Sequence, residues 1–532
     1  MLKSEKLNSL LSCDTEDNSK GKVYWVVFFD GKTFYNFKTP PEAIKFLDTI
    51  ETKVTIYCTN LEYDIANIFW GNLHLLNMSW GARLISAKYK KITFLDTLNS
   101  WFLGVAAMGE YLGKPKHGFN PKSLTYCQRD TEITYDFVMA MKRRYDKIGL
   151  KIKSTIAQTA ITFWKDSFYN GKIHKVPEGL IEFLKPAYYG GRVECYFIGE
   201  LNNMINHADV KSMYPSVMQK AYPYPFKWLD KVDINCEGIT YCKVESNLKL
   251  PFLPFRDKES KKLFFPNGKF KGAWSNVELR YFIKQGGKIL KTYDGIIYPK
   301  KCYPFKSYVR FLFDKRAKAK DELMKYIFKI LMNSLYGKFA QNNERTVIIN
   351  TEKWDKLKLS EIPDTFKEFE GLFIFKQIGK YPYYSNYIWS IYTTAYARIK
   401  LYDYLKKCYN ESDLLYCDTD SLIWRGDKNL FKYGSKLGDL EFIKTYDNVT
   451  IKGNKFYKLD DKIKCKGIPK DSMANYFDLG KAMYKKPLKI KEAIRRGMIP
   501  NYWIDIEKVE RIIYNKRKIL KSGFTEALNI KA

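Results

Sequence analysis

The 532 residues are too many for one ordinary core, so two or more domains are expected. Hydrophobic residues make up 45% and charged residues 28%, the balance of a soluble globular protein, and no apolar run approaches the roughly 18 residues of a membrane span. Lys and Arg (91) exceed Asp and Glu (58), for a net charge of +33 that strains a compact fold unless a polyanion screens it. With 16% aromatic residues and 41 Tyr, this favours a nucleic-acid partner, held by Lys and stacked on Tyr, over a mere solubility device. The ten Cys are scattered with no CxxC pair, which argues against a zinc knuckle, an iron–sulfur site or a disulfide framework. MLKSEKLNSL is no secretory signal, and an intracellular location is expected. No internal repeat or low-complexity tract stands out.

In chain order, CDTEDN comes first, with Asp14 and Glu16 two residues apart, so a strand there puts both carboxylates on one face. Residues 22–29 and 53–58 read as buried strands, with a helix-like stretch at 41–50 between them. TNLEYD at 59–64 follows the second strand and supplies Asp64. YCQRD at 126–130 opens a helix that continues through 131–147 and sets Tyr126 and Asp130 on one side. An α/β layer thus fills roughly the first 150 residues.

MINHADVKSMYPSVM at 204–218 reads as an apolar strand ending in Asp209, a tight turn and a helix start with Pro215 in its first turn. Residues 231–303, rich in Lys, Gly, Pro and aromatics with short strand-like runs, look like an insertion. A long helix is expected at about 307–339. Projected as one helix it gathers Lys318, Lys325, Lys329, Asn333 and Tyr336 on one side, with Leu323, Ile327, Ile330 and Leu331 opposite. A loop-rich piece spans 341–385. LLYCDTDSLIW at 414–424 reads as a β-hairpin with Asp418 and Asp420 near its tip, and the stretch from about 486 is basic and mixed in pattern.

Each piece has an ordinary reading as well. Asp209 could cap a helix, DTDS could be a polar turn, the Lys stripe could be a solvated face, and an acidic pair on a strand is usually solvated. Their chemistry together is more specific. Carboxylates packed close are costly unless a divalent cation neutralises them. A strand end beside free backbone N–H groups suits a triphosphate, and Lys at helical spacing suits its oxygens.

DVKSMYPSV, KILMNSLYG and YCDTDS resemble motifs A, B and C of family B DNA polymerases, in the right order. YYGG at 188–191, TAYAR at 394–398 and KFY at 455–457 resemble the YxGG, Tx2(G/A)R and KxY motifs of the protein-primed subgroup. CDTEDN, TNLEYD and YCQRD resemble the Exo I, II and III motifs of DEDD-type 3′–5′ exonucleases, Y subtype. TLNSW at 97–101 and KHGF at 116–119 resemble the subgroup's (S/T)Lx2h and Kx2h motifs, which assist the exonuclease and bind single strands. The likeness spans about residues 12–470.

The resemblance implies a DNA-directed DNA polymerase with a proofreading exonuclease. Its polymerase acids would be Asp209, Asp418 and Asp420, with Asp209, Val210 and Asp420 at two Mg²⁺ ions. The nuclease would use Asp14, Glu16, Asp64, Tyr126 and Asp130, its four acids holding two more; Mn²⁺ is an alternative. Val210, Tyr214, Lys318, Lys325, Lys329, Asn333 and Tyr336 would bind the nucleotide, Tyr214 excluding a 2′-hydroxyl. Asn60, Tyr63, Thr97, Leu98, Lys116, Tyr188, Gly190, Gly191, Thr394, Arg398, Lys455 and Tyr457 would contact DNA.

The implied fold is α+β and multidomain: an RNase-H-like exonuclease domain and a right-hand polymerase. Expected boundaries are 1–160 exonuclease, 161–230 first palm part, 231–303 an insertion toward a terminal protein and 304–340 fingers. A second insertion for strand displacement follows at 341–385, then 386–485 as second palm part and 486–532 as thumb. Primer-template DNA, dNTPs and a terminal protein are the expected partners of a monomer with no membrane. A family B enzyme primed by RNA or DNA alone is the nearest alternative. A reverse transcriptase would more typically show YxDD, and a dead DNA-binding scaffold should have lost one of the acids.

Overall fold

In the computed structural model, residues 9–531 are described apart from 19, 175, 226 and 511–513, so most of the segment read as no secretory signal lies outside the described residues. Apolar, β-branched runs build the first sheet. Leu10–Asp17, Val23–Phe29 and Phe34–Phe37 form an antiparallel meander. Val54–Cys58 and Ile92–Asp96 then add in parallel, and Leu84–Tyr89 and Asn77–Trp80 complete seven strands. Parallel strands covered on both faces need apolar residues on both, and Val54, Ile56, Tyr57 and Cys58 are all buried. The helix Leu124–Asp146, capped by Ser123, packs on this sheet, and Ser12 Oγ donates to the Thr131 carbonyl at 2.7 Å. This is the expected RNase-H-like α/β layer.

A second seven-stranded sheet is antiparallel throughout and has Gly199–Val210 at its centre. That strand pairs with Leu440–Gly453 on one side and Ser421–Arg425 on the other. Against it lies Tyr387–Glu411, a 25-residue helix that the sequence reading did not anticipate. Its residues are buried on nearly all sides over the first three turns, so it lacks the two-faced pattern by which helices are recognised.

The expected long helix at 307–339 is instead two, Lys306–Lys318 and Glu322–Ser334, followed by a 3-10 turn at Tyr336–Ala340. Ala319 is extended, and the Asp321 carboxylate caps the second helix by accepting from Leu323 N–H at 3.0 Å. Leu323, Ile327 and Leu331 are buried, so the apolar face of the second helix is as read.

The two insertion-like stretches are ordered sheets. The first contains Glu237–Ser246 between Asn267–Ser275 and Lys288–Tyr298. The second, expected to be loop-rich, has Glu344–Asn350, Leu372–Ile378 and Phe366–Phe369. It packs on the N-terminal layer, where Leu372 and Ile374 join Ile490 and Ile494 in the core with Leu61 and Phe69.

The stretch expected as one C-terminal unit from 486 divides. A hairpin of Lys481–Pro487 and Trp503–Val509, with the helix Ile490–Arg496 between, forms one piece. Residues 514–531 return to the centre: Thr525 N–H donates to the Tyr196 carbonyl, and Asn529–Lys531 pairs in parallel with Asn267–Lys269. The cause is a buried charge cluster, in which Glu194 meets Arg192 at 2.7 Å and Arg517 at 3.8 Å with all three side chains closed to solvent. Among the described residues no helix is long and apolar enough to cross a membrane.

Removing one partner from such a cluster strands the others. Glu194→Leu should destabilise the fold by about 3–5 kcal/mol, seen as a lower thermal midpoint, whereas an unchanged midpoint would mean the two arginines are solvated.

Candidate active sites

The first site forms where the central strand ends. Asp209 pairs in register with Ser421 on one neighbour and Glu441 on the other. Val210 N–H donates to the Asp420 carbonyl at 2.7 Å, so the two acid-bearing segments are tied by main chain. Asp420 sits in the turn between Asp413–Asp418 and Ser421–Arg425, where Thr419 takes the left-handed conformation at φ 64°. That conformation is strained for a β-branched residue and persists because the turn is pinned. Thr419 N–H donates to the Arg192 carbonyl at 2.7 Å, and Asp420 N–H to the Asp418 carbonyl at 2.7 Å. A Cβ on Gly191 would come within 2.9 Å of the Thr419 side chain, which explains a glycine there.

Burial and the Asp420 charge push Asp209 up to about 7, and burial and Asp418 push Asp420 up to about 6. Asp209 Oδ1 is buried with no partner in the protein. Lys329 is the nearby cation that both acids feel, and Lys455 Nζ lies 3.0 Å from Asp418. A cleft of about 440 Å³ opens beside them, lined by Lys211, Arg316, Lys325, Tyr326 and Lys329, with Tyr111 from the N-terminal layer. Tyr214 and Tyr336 stack at 4.5 Å, and Ser390 Oγ holds the Tyr336 carbonyl at 2.6 Å.

The second site lies on the N-terminal sheet. Carboxylate oxygens of Asp14, Glu16 and Asp130 can lie within 4.8 Å of one another. Asp64 comes from the helix Leu61–Phe69, and its Oδ1 accepts from Thr15 Oγ1 at 2.8 Å. Burial, then Asp64, Asp130 and Glu16, hold Asp14 well above the usual carboxylate range. Burial and Asp130 push Glu16 up to about 7. Lys116 pairs with Asp130 and lies 4.7 Å from the centre of the Tyr126 ring. Burial works against its charge, yet the bonds to Asp130 and Tyr126 keep it raised. Tyr63 donates to Asp17 Oδ1 at 2.6 Å, and Asn60 is exposed with left-handed backbone.

Both clusters fit divalent cations on their donor chemistry. The ligands are all oxygen, as hard cations prefer, and Asp209 Oδ1, Asp64 Oδ2 and Asp130 Oδ1 are buried without any protein partner.

The other residues expected at DNA or nucleotide differ in their surroundings. Lys318 is exposed on the first of the two helices, and the guanidinium of Arg316 takes the inward place, donating to Ser212 Oγ at 3.4 Å. Arg398 is internal: it pairs with Glu278 at 2.7 Å and donates to the Tyr189 and Gly190 carbonyls at 2.7 and 2.8 Å. It thus braces the YYGG loop from behind while Gly190 stays exposed and Tyr188 half-buried. Thr394 is buried and bonds its own helix at Ile391 O. Thr97 is also buried and bonds Thr59, beside the half-buried Leu98. Val210 has a core side chain, leaving its main chain for any binding. Asn333 and Tyr457 are half-buried, and Tyr457 packs against Tyr416 at 5.1 Å.

Sequence reading missed Arg316, Lys211, Asp96 and Asn501. The first would follow from recognising Asp321 as a cap. Asp96 ends a strand and accepts from Asn60 N–H at 3.1 Å and Leu98 N–H at 2.9 Å. Asn501 reaches Asn67 from 434 residues away and has no local signal.

Residues 106–419 match the family described as DNA polymerase type B, organellar and viral. The DNA-directed DNA polymerase of Enterobacteria phage PRD1 is 26% identical over 465 residues, 81% of this chain and 78% of that protein. A probable DNA polymerase of Neurospora intermedia is 26% identical over 65% of this chain, which spans only 39% of that longer protein. Among solved structures, Phi29 DNA polymerase complexed with primer-template DNA and incoming nucleotide has the same fold, with a TM-score of 0.71 over 94% of this chain and 99% of that one at 18% identity.

Replacing Gly191 by Ala should wedge the Asp420 turn at a cost of about 1–3 kcal/mol. Chemistry at the first site should then fall by about tenfold or more while the second site is unaffected, as read by parallel assays of the two.

Proposed function

The chain belongs to the organellar and viral type B DNA polymerases, and from that premise we propose that it extends a primer 3′-hydroxyl at the Asp209–Asp420 site and trims mispaired ends at the Asp14–Glu16–Asp64–Asp130 site. The observation that carries this reading is the pairing of a main-chain tie between the Asp209 and Asp420 segments with an unpartnered Asp209 oxygen that feels Lys329, a lining residue of the cleft.

Asp209 and Asp420 would hold a pair of Mg²⁺ ions, or Mn²⁺ in their place, and Asp14, Glu16, Asp64 and Asp130 a second pair. Bound there, such cations activate an attacking oxygen and neutralise charge on the transferring phosphate. The chain's own groups do the positioning. Lys329, Lys325, Arg316 and Lys211 line the path of a triphosphate, and the stacked Tyr214 and Tyr336 form a wall for sugar and base that closes against a 2′-hydroxyl. Lys455 keeps Asp418 charge-paired next to the primer end. At the second site Lys116 and Tyr126 face the same side of the Asp130 helix, where they can orient an attacking water, while Asn60 and Tyr63 offer a grip for an unpaired end.

The N-terminal layer then serves as exonuclease and the antiparallel sheet as palm. The two helices at 306–334 serve as fingers, and the hairpin at 481–509 as thumb. Priming by a hydroxyl of a terminal protein is supported by the YYGG, TAYAR and KFY motifs and by the two insertion sheets. The ten free cysteines suit a reducing cell interior, and we read the working form as a monomer.

A primed template with Mg²⁺ tests the assignment. Asp209→Ala or Asp420→Ala should abolish extension and spare 3′ shortening; Asp14→Ala with Glu16→Ala should do the reverse, and retained shortening in that double variant would refute the nuclease site. Non-specific DNA affinity should fall with salt at a log–log slope of about −0.9 per phosphate contact, and a flat response would remove the basic-groove argument.

A further inference from the structure

Asp64 is oriented from a part of the chain remote from the exonuclease sheet. Its Oδ1 accepts from Thr15 Oγ1 at 2.8 Å, Thr15 Oγ1 accepts from Asn67 Nδ2 at 3.0 Å, and Asn67 Oδ1 accepts from Asn501 Nδ2 at 2.7 Å. Asp64 and Thr15 are 1% exposed, Asn67 7% and Asn501 4%, so water does not compete for these bonds. The relay has a direction. A hydroxyl carries one hydrogen, and because Asn67 donates to Thr15, that hydrogen is free for Asp64. Which way the Asn67 amide faces is set by the Asn501 donor. The same Asn501 amide also donates to the Tyr63 carbonyl at 3.0 Å, and the Tyr63 hydroxyl bonds Asp17.

We propose that Asn501, on the loop between the helix Ile490–Arg496 and the strand Trp503–Val509, is a positioning residue for 3′–5′ degradation, acting through Asn67 and Thr15 to fix Asp64. This rests on the exonuclease reading of that site. The loop is built for the purpose: Asn501 adopts φ 60°, which Asn tolerates, and its N–H donates to the Leu488 carbonyl at 2.8 Å. With one Asp64 oxygen committed to Thr15, the other, Oδ2, has no protein partner. Groups that orient a ligand in this way govern cation affinity as much as rate. The hairpin proposed as thumb therefore carries a residue that orients the nuclease site.

Single-turnover shortening of a single-stranded oligonucleotide, measured across Mg²⁺ concentrations, tests this. Asn501→Gly keeps the left-handed backbone and removes the amide. Asn501→Asp keeps the shape but replaces the donor with an acceptor, which turns the Asn67 amide over and draws the Thr15 hydrogen away from Asp64. Both should lower the rate of shortening, and raise its half-saturating Mg²⁺ concentration, by between about 10- and 100-fold, while the half-saturating Mg²⁺ concentration for primer extension stays where it is. A misfolded fraction would reduce the amplitude without moving the half-saturation point. Wild-type Mg²⁺ dependence in both variants would overturn the proposal while Asp14→Ala with Glu16→Ala still abolishes shortening. Shortening that survives that double variant would overturn the exonuclease reading itself, and this inference with it.

Discussion

Like charges held together away from water are the constraint around which this chain is organised. Asp14, Glu16, Asp64 and Asp130 crowd one site, Asp209 and Asp420 stand beside Asp418 at the other, and burial alone already disfavours the charged forms of the first four and of Asp209 and Asp420. Each cluster is incomplete as protein, which is why its oxygens stay unpaired and why a cation is the natural complement. Among the described residues, cations stand beside these acids: Lys116 on Asp130, Lys455 on Asp418 and felt by Asp420, and Lys329 felt by Asp209 and Asp420. The large basic surplus lies elsewhere, available to a polyanion.

Crowding acids in this way works only if the backbone cannot relax, and the fixings come from distant segments. The Asp420 turn is held by the Arg192 carbonyl, and the Arg192 side chain is fixed by Glu194 and the Pro251 carbonyl. Arg398 joins the YYGG loop to Glu278 on the insertion's helix Asn276–Lys284. The second insertion and the helix Ile490–Arg496 close on the N-terminal core, and Lys491 lies 4.3 Å from the Trp80 ring. Two arginines, Arg192 and Arg398, thereby hold the Asp420 turn and the YYGG loop from behind.

How much of this was legible in the sequence follows from the range of each interaction. Asp14 and Glu16, Tyr126 and Asp130, and the DTDS hairpin obey strand alternation, helical spacing and turn chemistry within a few residues, so they could be placed at once. The apolar face of Glu322–Ser334 was equally plain. The single long helix was overturned by the break at Ala319, which Asp321 announces and which separates Lys318 from the helix carrying Lys325 and Lys329. The Tyr387–Glu411 helix was hidden by burial on all its sides, which erases the amphipathic signal. Arg398 and Thr394 sit in a motif whose letters say nothing about which way a side chain points. The Asn501 contact spans 434 residues and leaves no local trace.

The return of residues 514–531 to the central sheet bears on the order in which the molecule can be made. Chains fold as they leave the ribosome, N-terminal parts first. Here Glu194 is synthesised long before Arg517, and the strand Asn267–Ser275 long before the parallel partner that covers its edge. The nascent central sheet therefore waits with a buried carboxylate short of its second guanidinium, the insertion sheet with an edge still open, and the N-terminal sheet likewise for Ile490 and Ile494. None of these sheets is complete until the later segments, at 490–494 and 514–531, have been added.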